Sequence, residues 1–175
     1  MQNNLFSCHK MKDAAFWIEK LNLQPHPEGG FYSETYRSKE IILENGLPKR
    51  YGSPRSFGTA IYFLLRSEDI SAFHRIKSDE LWFFHTGSAT EICCLSHEGV
   101  KTIYLGSEYE KGQSFQLLVP ANTWFGARVV TSESFALLSC TVAPGFAFED
   151  FELGERTKLV MEFPESRSVI EMLTK

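Results

Sequence analysis

The residues of this chain best suited to chemistry lie in FHRIKSDELWFFHTG, residues 73 to 87, where Glu80 follows His74 by six positions and Gly87 follows Glu80 by seven. An imidazole beside a carboxylate is the arrangement of a general base with its orienter, because the carboxylate raises the imidazole pKa and fixes its tautomer. The same two groups can also do no more than satisfy each other's hydrogen bonds inside a core. The spacing puts them on flanking strands of a hairpin, facing each other at a barrel mouth. Alternation along a strand sets Glu80, Trp82 and Phe84 on one face and His85 on the other, so only a bulge would bring His85 inside. A tyrosine such as Tyr62 is the candidate proton donor to such a base.

Other side chains suit a binding pocket. Trp82, Trp124, Phe125 and Tyr62 offer flat rings to sandwich a planar or sugar-like ligand, although aromatic residues in strands also serve as plain core. Glu28, Gly29 and Gly30 follow Pro27 and precede a strand, where glycines with positive φ let the chain pass close to a ligand or simply turn. Gln116 carries an amide able to read a polar edge, unless ladder alternation puts it outside. In PGFAFEDFEL, three acidic residues, Glu149, Asp150 and Glu152, alternate with Phe146, Phe148 and Phe151. Either the acids cap the helix that follows, or the rings close the pocket while Asp150 contacts substrate. The four cysteines, Cys8, Cys93, Cys94 and Cys140, show no CxxC spacing and read as reduced thiols, with Cys93 and Cys94 on opposite faces of a strand and Cys140 as a small core residue.

The elements that must position these groups are mostly strands. Between Phe57 and Ala143 the chain breaks into short aromatic or β-branched runs at 57–65, 70–76, 80–85, 89–96, 100–105, 114–119, 123–130 and 134–143. Near-regular spacing with polar or glycine-bearing punctuation predicts a sandwich or barrel. Residues 31–37 form a further strand, and 38–55, with Gly46, Pro48, Gly52 and Pro54, read as a loop. Asp13 caps a short helix carrying Ala14, Trp17, Ile18 and Leu21, a lid or brace, and two short helices flank Pro164 over 154–173.

A chain of 175 residues suits one domain spanning 1–175 with one core. Its 15 Phe and 14% aromatic content suggest a thick core or a stacking pocket. With a net charge of -4 and no Lys or Arg run, nucleic acid is not an expected partner. No segment approaches the ~20 apolar residues of a membrane helix, and Met1 to Lys12 has no apolar signal-peptide core, so the expectation is no membrane association and a cytoplasmic location.

His74, Glu80 and Gly87 fall in the register of the first cupin motif, with Ile76 where that motif has its second His; Pro120 keeps the second motif, with Asn122, Phe125 and Val129 in place of its Gly, His and Asn. HPEGGFYSETYRS (26–38), AIYFLL (60–65), LVPANTWFGA (118–127) and CTVAPGFAFEDFEL (140–153) complete a resemblance to a single-domain cupin family of unknown function. That resemblance implies a mainly β jelly-roll barrel with short terminal helices, a homodimer, and a small-molecule ligand in the barrel. More distantly the chain is similar to the sugar-nucleotide epimerases of the rhamnose pathway, which use a His base without metal. Cupin metals are typically held by three His and one Glu, of which only His74 and Glu80 stand at matching positions. A metal is therefore disfavoured and no cofactor is expected. Two functions follow for a protein that binds a small polar metabolite, sugar-like or nucleobase-like: a metal-independent epimerase or isomerase with His74 as base, Glu80 as orienter and Tyr62 as donor, or a non-catalytic binding or sensor module. Metal-dependent oxygenase chemistry would need ligands that these positions lack.

Overall fold

Period-two patterning builds two six-stranded sheets stacked face to face, and with a separate two-stranded pair the described residues form fourteen strands, numbered in chain order. This computed structural model describes residues 12–175, so Cys8 lies outside the described residues. The first sheet runs β1 (Gln24–Pro25), β2 (Phe31–Arg37), β5 (Thr59–Arg66), β13 (Phe135–Ala143), β7 (Asp79–Gly87) and β11 (Gln116–Val119). The second runs β10 (Gln113–Ser114), β9 (Gly99–Leu105), β8 (Thr90–Ser96), β12 (Phe125–Val129), β6 (Ile70–Ile76) and β14 (Phe151–Leu153). A small pair, β3 (Ile41–Ile42) with β4 (Arg55–Ser56), interrupts the loop expected over 38–55. The result is a jelly-roll sandwich, and the eight predicted runs all form strands. The pieces that the pattern missed, β1, β3, β4, β10 and β14, are two or three residues long, too short to show a period.

One expectation is corrected at this level. β6 and β7 are not partners in a hairpin: Lys77 and Ser78 carry the chain from the second sheet to the first, so His74 and Glu80 stand on opposite walls of the sandwich. Between the walls, Phe63, Leu65, Trp82, Ile92, Phe125 and Leu138 pack into the main core. Burying each such side chain contributes about 1.5–3 kcal/mol.

The outer faces are covered by helices. In α1 (Ala14–Lys20), the Asp13 carboxylate accepts the Phe16 N–H at 2.9 Å, and the helix lays Trp17 and Ile18 over Leu64 and Leu137, so it braces the first sheet and is not a lid. α2 (Arg156–Glu162) and α3 (Arg167–Met172), separated by Pro164, press Leu159, Phe163, Ile170 and Leu173 onto Phe73, Cys93, Leu95 and Trp124 of the second. Cys93 and Cys94 do face opposite ways, the first under these helices and the second into the main core. Among the described residues no helix is long and apolar enough to cross a membrane.

The segment before β2 sets up the site. His26 N–H donates to the Gly30 carbonyl and Gly29 N–H to the His26 carbonyl, each at 3.0 Å, while the Ala72 N–H of β6 donates to the Glu28 carbonyl at 3.0 Å. This folds the turn tightly onto β6. Gly29 has φ of +121°, and a Cβ there would sit 2.0 Å from the Ile70 carbonyl oxygen. The close approach that the glycines serve is therefore to the neighbouring strand. Gly29→Ala is expected to lose about 3 kcal/mol or more, from left-handed strain plus the clash, against about 1 kcal/mol for Gly52→Ala, where φ is +69° and nothing lies within 4 Å. Urea unfolding of the two variants measures this, and equal losses would show that the turn is not clamped.

Candidate functional site

Between the two sheets lies a cavity of about 290 Å³, room for about ten waters. Alternation along β5 turns Ile61 and Phe63 into it; β7 supplies Glu80 and Trp82, β13 supplies Cys140, and β6 supplies His74 from the opposite wall. The turn before β2 adds His26 and Glu28. Phe146, Phe148 and Phe151 close one side.

The polar groups converge at the inner end. Glu28 Oε1 accepts the Ser71 hydroxyl at 2.7 Å. Its Oε2 lies 3.3 Å from His74 Nε2 and 3.4 Å from His26 Nδ1. The Ala72 carbonyl, 2.8 Å from His74 Nδ1, can only accept, so that nitrogen carries the proton and Nε2 presents its lone pair toward Glu28. The group that orients His74 is thus a backbone carbonyl, and the carboxyl within reach of its Nε2 is Glu28, with Glu80 acting on the ring through space. Glu80 is 8% exposed, and the donors that bear on its carboxyl are the Trp82 indole N–H and the Cys140 thiol. The indole N–H is buried and does not reach full hydrogen-bond geometry with any acceptor.

Burial governs the protonation of all four groups. It pushes Glu80 up to about 7, with His74 pulling back and Glu28 adding to the rise. It raises Glu28 as well, against the pull of His26 and the Ser71 hydrogen bond. It lowers His74 despite Glu80 and the Ala72 carbonyl, and lowers His26 despite Glu28. Burial thus favours the uncharged form of all four groups, and Glu80, at about 7, can give and take a proton near neutral pH. Cys140 borders Glu80, and burial drives its thiol far from ionisation, so it is no nucleophile.

Several expected members of the site lie elsewhere. Tyr62 alternates to the outer face of β5, where its ring meets His85 at 5.8 Å, too far from the cavity to donate there. His85 stays outside as expected, bonded to Ser139 Oγ at 2.9 Å, even though the β7–β13 register shifts beside it. Gln116 points to solvent because Leu117 and Val119 take the inner positions of β11. Trp124 packs under the carboxy-terminal helices with the Arg75 guanidinium 4.4 Å from its ring. Phe125 is core and lines no open space; its ring lies 4.2 Å from that of His74. Asp150 is a structural anion, held by Arg55 through two 2.6 Å hydrogen bonds and by Lys77 at 3.1 Å. Burial opposes its ionisation, and those bonds outweigh it, leaving the pKa below the ordinary value. The acids of that segment pair with Arg55 and Arg75, and none caps α2.

His26 was not singled out from the sequence, although it precedes Glu28 by two in HPEGG, the spacing that returns a side chain to the same side of an extended segment. The metal set of the cupin motifs does not fit these residues. Ile76 and Phe125 hold ligand positions, and among the described residues no group of three or more His, Cys, Asp or Glu side chains is arranged to hold an ion.

The sequence matches the family described as cupin superfamily (DUF985) over residues 15–154. A crystal structure from Shewanella oneidensis superposes with a TM-score of 0.84 at 37% identity, covering 94% of this chain and 99% of that one. An uncharacterized protein of Saccharomyces cerevisiae is 29% identical over 89% of this chain and 83% of its own length. The spore coat polysaccharide biosynthesis protein SpsL of Bacillus subtilis is 29% identical over 71% of this chain and 76% of its own.

Glu80 links stability to pH. With its pKa at about 7 folded against 4.5 unfolded, the folded chain keeps a proton that the unfolded chain releases, so this group's contribution falls as pH rises from about 4.5 and levels off above about 7. Glu80→Gln removes that loss. Its stability relative to wild type is expected to improve by up to about 3 kcal/mol between pH 5 and 8 in urea titrations. A difference constant with pH would place Glu80 at an ordinary carboxyl pKa.

Proposed function

The chain belongs to the DUF985 family of the cupin superfamily, and from that premise we propose that it binds a small, polar, sugar-like metabolite in the sandwich and epimerises or isomerises it by metal-independent proton transfer. The observation that carries this reading is the buried Glu80 carboxyl, without a cationic partner and poised near neutrality across an aromatic cavity from His74 and Glu28. A group that titrates near the working pH is effective in both directions of proton transfer. Glu80 as carboxylate takes a proton from carbon next to a carbonyl, and the His74–Glu28 pair on the opposite wall supplies one in return. His74 keeps its part in acid–base chemistry, and Glu80, first read as orienter, becomes a proton carrier in its own right. Tyr62 has no part.

The rings of Tyr32, Phe63, Trp82 and Phe146 give a sugar its flat apolar contacts. The name of the Bacillus subtilis relative, a polysaccharide biosynthesis protein, supports a carbohydrate as ligand.

Incubation with a panel of nucleotide-linked keto sugars in deuterated water, followed by mass spectrometry, tests the reading. Substrate should gain one deuterium per exchanged carbon, at a rate rising with pH through a midpoint near 7 as Glu80 ionises. Glu80→Gln and His74→Ala should each slow exchange by about 10²-fold or more, and Tyr62→Phe should match wild type. Saturable binding with no exchange in any member would favour the binding or sensor module instead.

A further inference from the structure

The inner end of the cavity is short of positive charge. Arg37 is the one Lys or Arg among the described residues that line it, and its guanidinium is engaged by Glu34 at 3.0 and 2.6 Å and by the Phe146 carbonyl at 2.9 Å. Lys175 does not line the cavity; it acts through space on His26 and Glu28, with Nζ bonded to the Pro27 carbonyl at 2.7 Å. Facing the inner space are the Glu28 and Glu80 carboxyls, the His26 and His74 imidazoles, the Cys140 thiol and the Trp82 indole N–H. Glu80 and Trp82 are each more than nine-tenths buried, the Trp82 N–H reaches no acceptor in full bonding geometry, and the donors bearing on the Glu80 carboxyl, Trp82 and the Cys140 thiol, are both uncharged.

An anion there would meet two carboxyls and no cation. A hydroxyl would supply hydrogen bonds and leave an ionised Glu80 without a counter-charge. An ammonium group answers both needs: its N–H donors match the free carboxyl oxygens, and the π-faces of Phe63, Trp82 and Phe151 attract the charge. A hydroxyl on the adjacent carbon would accept the Trp82 N–H.

Building on the sugar-like ligand of the preceding reading, we propose that its buried end is a vicinal amino alcohol, so that the ligand class is an amino sugar with its ammonium group held between Glu80 and Glu28. A bound ammonium keeps Glu80 in the ionised form that accepts a proton.

Matched hexoses differing in charge test this: D-glucosamine, D-glucose and D-glucuronate, titrated at pH 7.0 and followed by ligand-observed NMR with the wild-type protein and Glu80→Gln. Glucosamine is expected to bind about tenfold more tightly than glucose, with glucuronate weakest, and Glu80→Gln to abolish the preference for glucosamine over glucose. Glucose or glucuronate equalling glucosamine in wild type would overturn the amine assignment and leave the carbohydrate reading standing. Failure of all three to bind would remove both. The wild-type comparison stands by itself if Glu80→Gln does not fold.

Discussion

Glu28 reaches His74 only because the turn ahead of β2 crosses hard against β6, and that crossing depends on two glycines with positive φ and one backbone hydrogen bond from Ala72. The contact decides the character of the whole interior. A carboxyl brought into a desolvated space must find a cation, a metal or a proton. Here Arg and Lys are kept at the rim, so Glu28 and Glu80 are driven toward holding protons, and the imidazoles beside them toward shedding theirs. Burial of these groups among the aromatic rings that line the cavity is what sustains those shifts.

Asp150 shows the alternative. It is as buried as Glu28, yet it meets the Arg55 guanidinium with two 2.6 Å hydrogen bonds and stays ionised. The pair ties the loop ahead of β5 to the segment carrying Phe146 and Phe148, so the ring wall beside the buried carboxyls is fixed by an ion pair outside the cavity. Two buried acids of one chain thus divide between an ionised and a proton-holding tendency according to whether a guanidinium is within reach. Neither outcome is a property of the acid itself.

That dependence explains what the sequence showed and what it did not. Period-two runs in the chain placed eight strands, and alternation correctly sent His85 outward and Glu80 and Trp82 inward. Tyr62 and Gln116 sit one position out of phase with Phe63 and Leu117, and a one-residue phase error in a strand moves a side chain across the sheet. Trp124 and Phe125 are neighbours on opposite sides of the second sheet, one under α2 and α3 and the other against His74. Asp150 could not be assigned because Arg55 is 95 residues away in sequence. His26 enters the site through a turn clamped to β6, a tertiary contact that spacing alone does not report.

Apolar residues at the ligand positions of the cupin motifs also redirect His74. With the Phe125 ring packed 4.2 Å from it and Ile76 two residues on, the imidazole has no companion ligands and turns its free nitrogen to a carboxyl. In a metal centre, that nitrogen's lone pair would be committed to the ion, and the ring could not carry a proton. Facing Glu28, it can. Phe and Ile at those positions therefore do more than remove metal ligands: they leave the His74 nitrogen facing a carboxyl, and they leave Glu80, at a ligand position of the motif, as an acid whose pKa burial raises.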